Sequence, residues 1–413
     1  MSGLREVAGA VRHVDVLVVG AGPAGLAAAA RLAAAGTRRV EVLDREQQAG
    51  GVPRHCAHGG FGPWLHPLTG PAYARLLTRA AVRAGAVVRT GVTALDWAGP
   101  STLTAVGRGG PETIEARAVV LATGARERPR TARLVPGTRP AGVYTTGELQ
   151  QAVHLYGQRI GSRAVVIGAE EVSYAAADTV RAAGAEVVAM VTDLPQAQVS
   201  PGRALNARLR QGIPLLTDAM VDELVGRGRL SAVRLRHHDG RTTVLRCDIA
   251  VFTGDFVPER ELARRGDLVL DAGTRGPAVD GGLHTSRPGV FAVGSVLHPA
   301  ESAATAAREG AHAADAVRRR LTGDAWPTGV PLTVAAPLRW IAPNRVTPAD
   351  ELPYVLRTTI SLHRPVLQVT QDDRLLHRSR SLRTALPNRT VTLTASWTHR
   401  VDAGGGPVRV TVA

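Results

Sequence analysis

A glycine-punctuated switch from strand to helix constrains this chain most: Val16-Leu17-Val18-Val19, then Gly20-Ala21-Gly22-Pro23-Ala24-Gly25 and an alanine-rich run. Four consecutive apolar residues suit a central parallel strand covered on both faces. Pro23 starts the helix, whose free N–H groups and positive dipole end then face the turn. Gly20 permits the tight turn, Gly22 lets a pyrophosphate approach the backbone, and Gly25 allows close helix–strand packing. The next strand, Val40 to Leu43, ends at Asp44, where a carboxylate can bind ribose hydroxyls, with Arg45 beside it. Strand, turn, helix and acid together predict an adenine-dinucleotide site, to which Pro23 and Ala24 belong.

The 413 residues leave room for two or three domains. With 44% hydrophobic residues and no run of about 18 apolar ones, the chain reads as globular, without a membrane span, and cytoplasmic. The net charge of +15 invites a nucleic-acid reading, but all 50 basic residues are arginine, scattered along the chain, and aromatics make up only 3%. That is too few for base-stacking platforms, so no nucleic-acid partner is expected. The absence of lysine excludes a lysine Schiff base. Two distant cysteines, Cys56 and Cys247, cannot make a CxxC pair, a four-cysteine cluster or a structural zinc site.

After the first unit comes a loop, Gly50-Gly51-Val52-Pro53-Arg54-His55-Cys56-Ala57-His58. Gly51 and Arg54 suit a second contact to a pyrophosphate. His55, Cys56 and His58 are too crowded to enclose a metal by themselves, so no metal is expected. A helix over 70–84 and a strand over 86–92 follow, with Val92 expected beside the cofactor. Strands over 102–106, 112–116 and 119–121 run into Ala122-Thr123-Gly124, which resembles the exit from the FAD domain of a two-dinucleotide flavoprotein. Much later, an apolar strand at Val290 to Val293 ends in Gly294-Ser295, where many FAD enzymes carry an aspartate for the ribitol chain. Ser295 can still hydrogen bond there. A long helix is predicted from Ala300 to Leu321, with Glu301 in its first turn and its N-terminus toward the flavin.

A second strand–turn–helix begins at Ala164 and reaches Gly168-Ala169-Glu170-Glu171-Val172-Ser173. Gly168 keeps the turn, but Glu170 stands where the second glycine would admit a phosphate, and Ser173 replaces the third. A carboxylate at about 4 Å from a phosphate charge, at an effective dielectric near 20, is repelled by about 4 kcal/mol. This unit is expected to keep its fold while binding NAD(P)H poorly. From Trp326 onward the chain is rich in Pro, Thr, Val and Arg, with alternating runs that argue for antiparallel strands in a small sandwich. The expected architecture is α/β: two Rossmann-like three-layer ββα domains plus a small β-rich C-terminal domain. The FAD domain is assigned to residues 13–155 and 279–325, the NAD(P)-binding-like domain to 156–278 and the β domain to 326–413.

Over residues 13 to 320 the chain resembles the two-dinucleotide-binding flavoprotein reductases of the pyridine nucleotide-disulfide type. The Gly50-Gly51-Val52-Pro53-Arg54-His55-Cys56 stretch, with His58 and Phe61-Gly62, is similar to one in the flavin subunits of hydrogen cyanide synthase, opine oxidase and hydroxyproline dehydrogenase. The resemblance implies FAD and dehydrogenase chemistry on an amine or imino acid alongside partner chains. The iron–sulfur cysteines of some members are missing, and most of the β-rich tail lies outside the likeness. One reading is therefore an FAD-dependent dehydrogenase, or its flavin subunit, that works on a small-molecule C–N or C–OH bond. His298 and Glu301, with His55 from the glycine-rich loop, are the candidates for acid–base work. A second is an NAD(P)H-dependent flavin reductase serving a protein or small acceptor. A third is a non-catalytic flavin-bearing subunit that assembles through the β tail.

Overall fold

A computed structural model describes residues 11–62, 65–299 and 301–413. These fall into two compact units, one holding residues up to Gly51, Ala72–Ala125 and Pro258–Ala413, the other Val52–Pro71 and Arg126–Val257.

The first unit is built on a sheet of seven strands among the described residues. Val11–Val19 lies at its centre, parallel to Val40–Asp44 on one side and to Gly110–Leu121 on the other. Both faces of the central strand are covered, which is why Val16, Leu17 and Val18 are wholly buried. The expected strands over 112–116 and 119–121 are one strand, Gly110–Leu121, that changes partners along its length. Its first half pairs with the hairpin strand Thr102–Gly107, and its last three residues pair in parallel with Val290–Ala292. Helices Pro23–Ala34 and Ala303–Leu321 pack together on this sheet. Their close approach is set at Gly310, where a Cβ would run into the Ala24 carbonyl. This is the three-layer ββα plan.

The tail of this unit forms two sheets around one apolar core that includes Tyr354, Leu356, Val369, Leu393, Trp397 and Val410. One sheet contains Val330–Val334, Val366–Gln371, Arg374–Arg380 and Val408–Val412. The other contains Leu338–Ala342, Tyr354–Thr358 and Val391–Leu393. After the strand Val391–Leu393 the chain turns, and Trp397 fills the core.

The second unit repeats the plan. A parallel sheet runs Leu215–Leu216, Glu186–Val191, Arg163–Ile167, Ile249–Phe252, Val143–Thr145. An antiparallel layer of Ala219–Arg227, Arg229–His237 and Thr242–Arg246 accompanies it. Residues 126–155, assigned by sequence to the first domain, fall here because Val143–Thr145 joins this sheet. Residues 258–278 and the β-rich tail fall in the first unit. Among the described residues no helix is long and apolar enough to cross a membrane.

Candidate functional site

In the first unit the glycine turn has the shape a dinucleotide needs. Gly20 adopts φ +111°, and its N–H donates to the Leu43 carbonyl at 2.7 Å. A Cβ at Gly25 would run into the Gly20 carbonyl and crowd Ala122 and Val18 at 3.1 Å. A Cβ at Gly22 would meet nothing within 4 Å. Gly22 is also the N-cap of the Pro23–Ala34 helix, with no side chain capping the first-turn amides. An open face and uncapped amides at a helix N-terminus fit a pyrophosphate. Gly50 and Gly51 close the back of the turn: the Gly50 N–H donates to Ala21 O at 2.8 Å, and a Cβ on Gly51, at φ +61°, would sit 2.8 Å from the Gly22 Cα.

Asp44 is tied to this turn. Its Oδ2 accepts the Ala21 N–H at 2.7 Å and its Oδ1 the Glu46 N–H at 2.8 Å. Burial raises its pKa, opposed by those two N–H groups. Each oxygen keeps a second lone pair with which to accept a ribose hydroxyl. Arg45 is exposed beside it, and Val92 is buried, its N–H donating to the Asp44 carbonyl at 2.9 Å. Below the turn, the Ala122 N–H donates to Val19 O at 2.8 Å, and the Thr123 hydroxyl is anchored on Glu259 O at 2.6 Å before Gly124 turns at φ +79°. Gly294 turns at φ +76° where a Cβ would press on the Ala24 side chain at 2.7 Å, and Ser295, half-buried, follows it. The donor set and the open face fit FAD, which these residues would hold through its adenosine and pyrophosphate.

The acid–base candidates are placed less openly. His298 is 2% exposed; its Nε2 meets Glu309 Oε1 at 2.8 Å and its ring stacks on Trp340. Burial pushes its pKa down, but the charge and hydrogen bond of Glu309, helped by Glu301, outweigh burial and raise it. The other Glu309 oxygen accepts the Gly294 N–H at 3.0 Å, so the pair braces the Gly294 turn. Glu301 is not in the first helical turn as expected. Ala300 lies outside the described residues, and the helix begins at Ala303 because Ser302 caps it, accepting the Thr305 N–H at 3.1 Å. Glu301 instead meets Arg357 at 2.6 Å and accepts the Thr390 hydroxyl at 2.9 Å, both from the β-rich tail. Arg357→Ala would strand this buried carboxylate. Urea unfolding should show about 3–5 kcal/mol less stability, and pairing it with Glu301→Leu should recover most of the loss.

His55, Cys56 and Arg54 belong to the second unit; Arg54 and His55 lie on the turn Val52–His55 that packs on helix Thr146–His154, and Cys56 directly follows it. Burial, then the charges of Arg54 and His154, lower the His55 pKa to about 4. Its imidazole is therefore neutral when folded but charges near pH 6.5 when unfolded. Stability contributed by the buried neutral ring is complete above pH 6.5 and lost as pH falls toward 4, by about 3 kcal/mol. Thermal unfolding between pH 7 and 4 should show this loss in the wild type and a much smaller one in His55→Gln. Cys56, donating to Gln150 Oε1 at 3.4 Å, has its thiol pushed up to about 12 by burial and the Glu127 charge, so it is not a thiolate at neutral pH.

Glu127 was not singled out from sequence, where it is one acid between two arginines. Its Oε2 accepts the Gly147 N–H at 2.7 Å at the N-terminus of helix Thr146–His154. Burial raises its pKa, opposed by the Gly147 N–H and the Thr146 and Thr145 hydroxyls. Only its position three residues after Gly124 hints at a role.

The second turn is filled from within. Gly168 and Gly254 both have positive φ, and a Cβ on either would press on the Glu170 carboxylate. Glu170 Oε2 accepts the Ala169 N–H at 3.0 Å and Oε1 the Thr253 hydroxyl at 3.0 Å. Ser173 returns a bond to the Glu170 N–H at 3.2 Å, completing a capping box. The side chain thus takes the helix N-terminus that a phosphate would use.

A family model described as pyridine nucleotide-disulphide oxidoreductase matches residues 14–310. The chain is 31% identical over 281 residues to the alpha subunit of sarcosine oxidase from Corynebacterium sp. (strain P-1), covering 63% of this chain but 28% of that protein. It is 28% identical over 326 residues to an opine oxidase subunit of Agrobacterium tumefaciens (strain Ach5), covering 70% of this chain and 63% of the relative. The chain thus spans less than two thirds of either relative. Thioredoxin reductase from T. acidophilum shares the fold, with TM-score 0.63 and 24% identity over 74% of this chain and 98% of that one.

Proposed function

Because the chain belongs to the pyridine nucleotide-disulphide oxidoreductase family, it is an FAD-dependent oxidoreductase, and we propose that it oxidises an amine or imino acid as the flavin-bearing subunit of a larger enzyme. The observation that carries this reading is the contrast between the two glycine turns. The Gly22 face is open, whereas Glu170 fills the corresponding place in the second unit. That contrast speaks against an NAD(P)H-dependent reductase, which needs both sites. Relatives named as subunits of sarcosine and opine oxidases support the C–N bond as the target and partner chains as companions.

Bound FAD supplies the two-electron acceptor. In this reading Gly22, the first-turn amides and Asp44 hold the dinucleotide. The His298–Glu309 pair fixes the Gly294 turn, and the Glu301–Arg357 pair ties the β-rich tail beside it. His298 and Glu301 thereby act as positioning residues rather than as groups that reach substrate. A dye-linked assay with secondary amines, run with and without a co-purified partner, tests the proposal. Dye reduction by the FAD-loaded chain or its complex supports it; reduction with NADH alone and with no amine would overturn it.

A further inference from the structure

The β-rich tail is polarised along its strands, and the cofactor site does not explain why. Strand Tyr354–Thr358 runs to one end of the sandwich, where residues 359–365 cross to Val366–Gln371 in the other sheet. Strand Arg374–Arg380 returns to that end, with Arg380 opposite Val366, and residues 381–390 cross back to Val391–Leu393. The two crossing loops lie side by side. Leu362 and Ala385 exchange N–H···O bonds of 2.9 Å, and the Ser381 N–H donates to Pro365 O at 2.9 Å. The acids of the tail are Asp350, Glu351, Asp372, Asp373 and Asp402, and all lie toward the opposite end. Asp350 and Glu351 precede Tyr354, Asp372 and Asp373 turn between Gln371 and Arg374, and the Asp402 N–H donates to Gln371 Oε1 at 2.9 Å.

The loop end carries only positive charge from the tail. Arg364, Arg380, Arg383 and Arg389 are exposed there, and none meets a carboxylate among the described residues. Glu301, which reaches this end from outside the tail, is buried against Arg357 and Thr390. Among the arginines stand two bare aliphatic side chains, Leu382 at 82% and Ile360 at 54% exposed. Residues 358–389 contain no Phe, Tyr or Trp, so this end lacks the aromatic anchors of a protein interface and the stacking platforms of a nucleic-acid site. Arginines around aliphatic tips complement a surface with negative charge outside and hydrocarbon beneath.

We propose that this end of the β-rich tail docks the protein on an anionic phospholipid surface. Leu382 and Ile360 enter between the headgroups, and Arg364, Arg380, Arg383 and Arg389 meet the phosphates. At about fivefold for each arginine near such a surface, the four together favour anionic over neutral lipid by at least about a hundredfold.

The FAD-loaded full chain is sedimented with vesicles of phosphatidylcholine alone and of phosphatidylcholine mixed equally with phosphatidylglycerol. The wild type is expected to sediment with the mixed vesicles only, and raising the salt from about 0.1 M to about 0.5 M should weaken that binding at least tenfold. Arg380→Gln with Arg383→Gln should weaken it about 10- to 25-fold, and Leu382→Ser about tenfold. All three side chains are exposed, so melting curves and flavin content should match the wild type. The whole chain carries +15, so Arg208→Gln with Arg210→Gln, exposed at the end of helix Pro201–Leu209, is the charge-matched control and should cost less than about threefold. Equal losses in the loop pair and the control pair would overturn the proposal. So would unchanged affinity in Leu382→Ser, or a wild type that ignores anionic vesicles. Failure on vesicles, together with a co-purified acidic protein that the loop variants release, would give this end to a protein partner instead.

Discussion

Gly22→Val is expected to give a folded protein that has lost its FAD. At φ −81° and ψ −176° Gly22 has an extended backbone open to any residue, and a Cβ there meets no protein atom within 4 Å. The unfolding midpoint of the cofactor-free variant should therefore stay within a few degrees of the cofactor-free wild type. The valine methyls would occupy the space through which a pyrophosphate reaches the first-turn amides, weakening FAD by at least about 100-fold, about 2.7 kcal/mol. Gly25→Val is the opposite control. Its side chain would collide with the Gly20 carbonyl, Ala122 and Val18 in the core, so that variant should lose the fold along with the cofactor. Purification under identical FAD supplementation, with the flavin-to-protein absorbance ratio and a melting curve for each, separates the two outcomes. A Gly22→Val protein that is as yellow as wild type would show that this turn does not hold the pyrophosphate.

Glu170→Ala should have two effects of opposite kind. The carboxylate caps helix Glu171–Ala182 and accepts the Ala169 N–H and the Thr253 hydroxyl. Losing the cap costs about 1 kcal/mol, and leaving buried donors unpaired adds about 1–2 kcal/mol. The second unit should lose about 2–3 kcal/mol of stability in urea. The same change empties the place a phosphate would take and removes a repulsive charge. NADH binding, read by quenching of its fluorescence or by filtration, should tighten by at least tenfold over the wild type. Stability lost with no gain in NADH affinity would mean that Glu170 is only a cap.

Both turns were legible in the sequence for a physical reason. A glycine needed at positive φ, or at a point of close approach, leaves a mark at one position, so Gly20, Gly25, Gly168 and the intrusion at Glu170 carry their meaning locally. The partner of Glu170 was not legible: Thr253 lies 83 residues away in sequence, directly after the strand Ile249–Phe252 that brings its hydroxyl alongside. Glu301 shows the limit most clearly. Its place in the first turn of the expected helix suggested a group facing the cofactor, but Arg357 and Thr390 of the β-rich tail claim its carboxylate, and the helix starts at Ala303, capped by Ser302, rather than at Ala300. Helix Pro201–Leu209 and strands Leu338–Ala342 and Tyr354–Thr358 escaped because their short patterns are interrupted by arginine, proline and glycine. Glu127 escaped because its partners at the N-terminus of helix Thr146–His154 lie about 20 residues on in sequence, and such a contact leaves no periodicity behind.

Anaerobic mixing of the FAD-loaded protein with a secondary amine, and in parallel with NADH, tests the central claim most directly through the visible absorbance band of the oxidised flavin. Bleaching by the amine, with NADH leaving the band essentially unchanged on the same timescale, is the predicted result. Rapid bleaching by NADH, with no response to amines alone or with a partner chain, would contradict it.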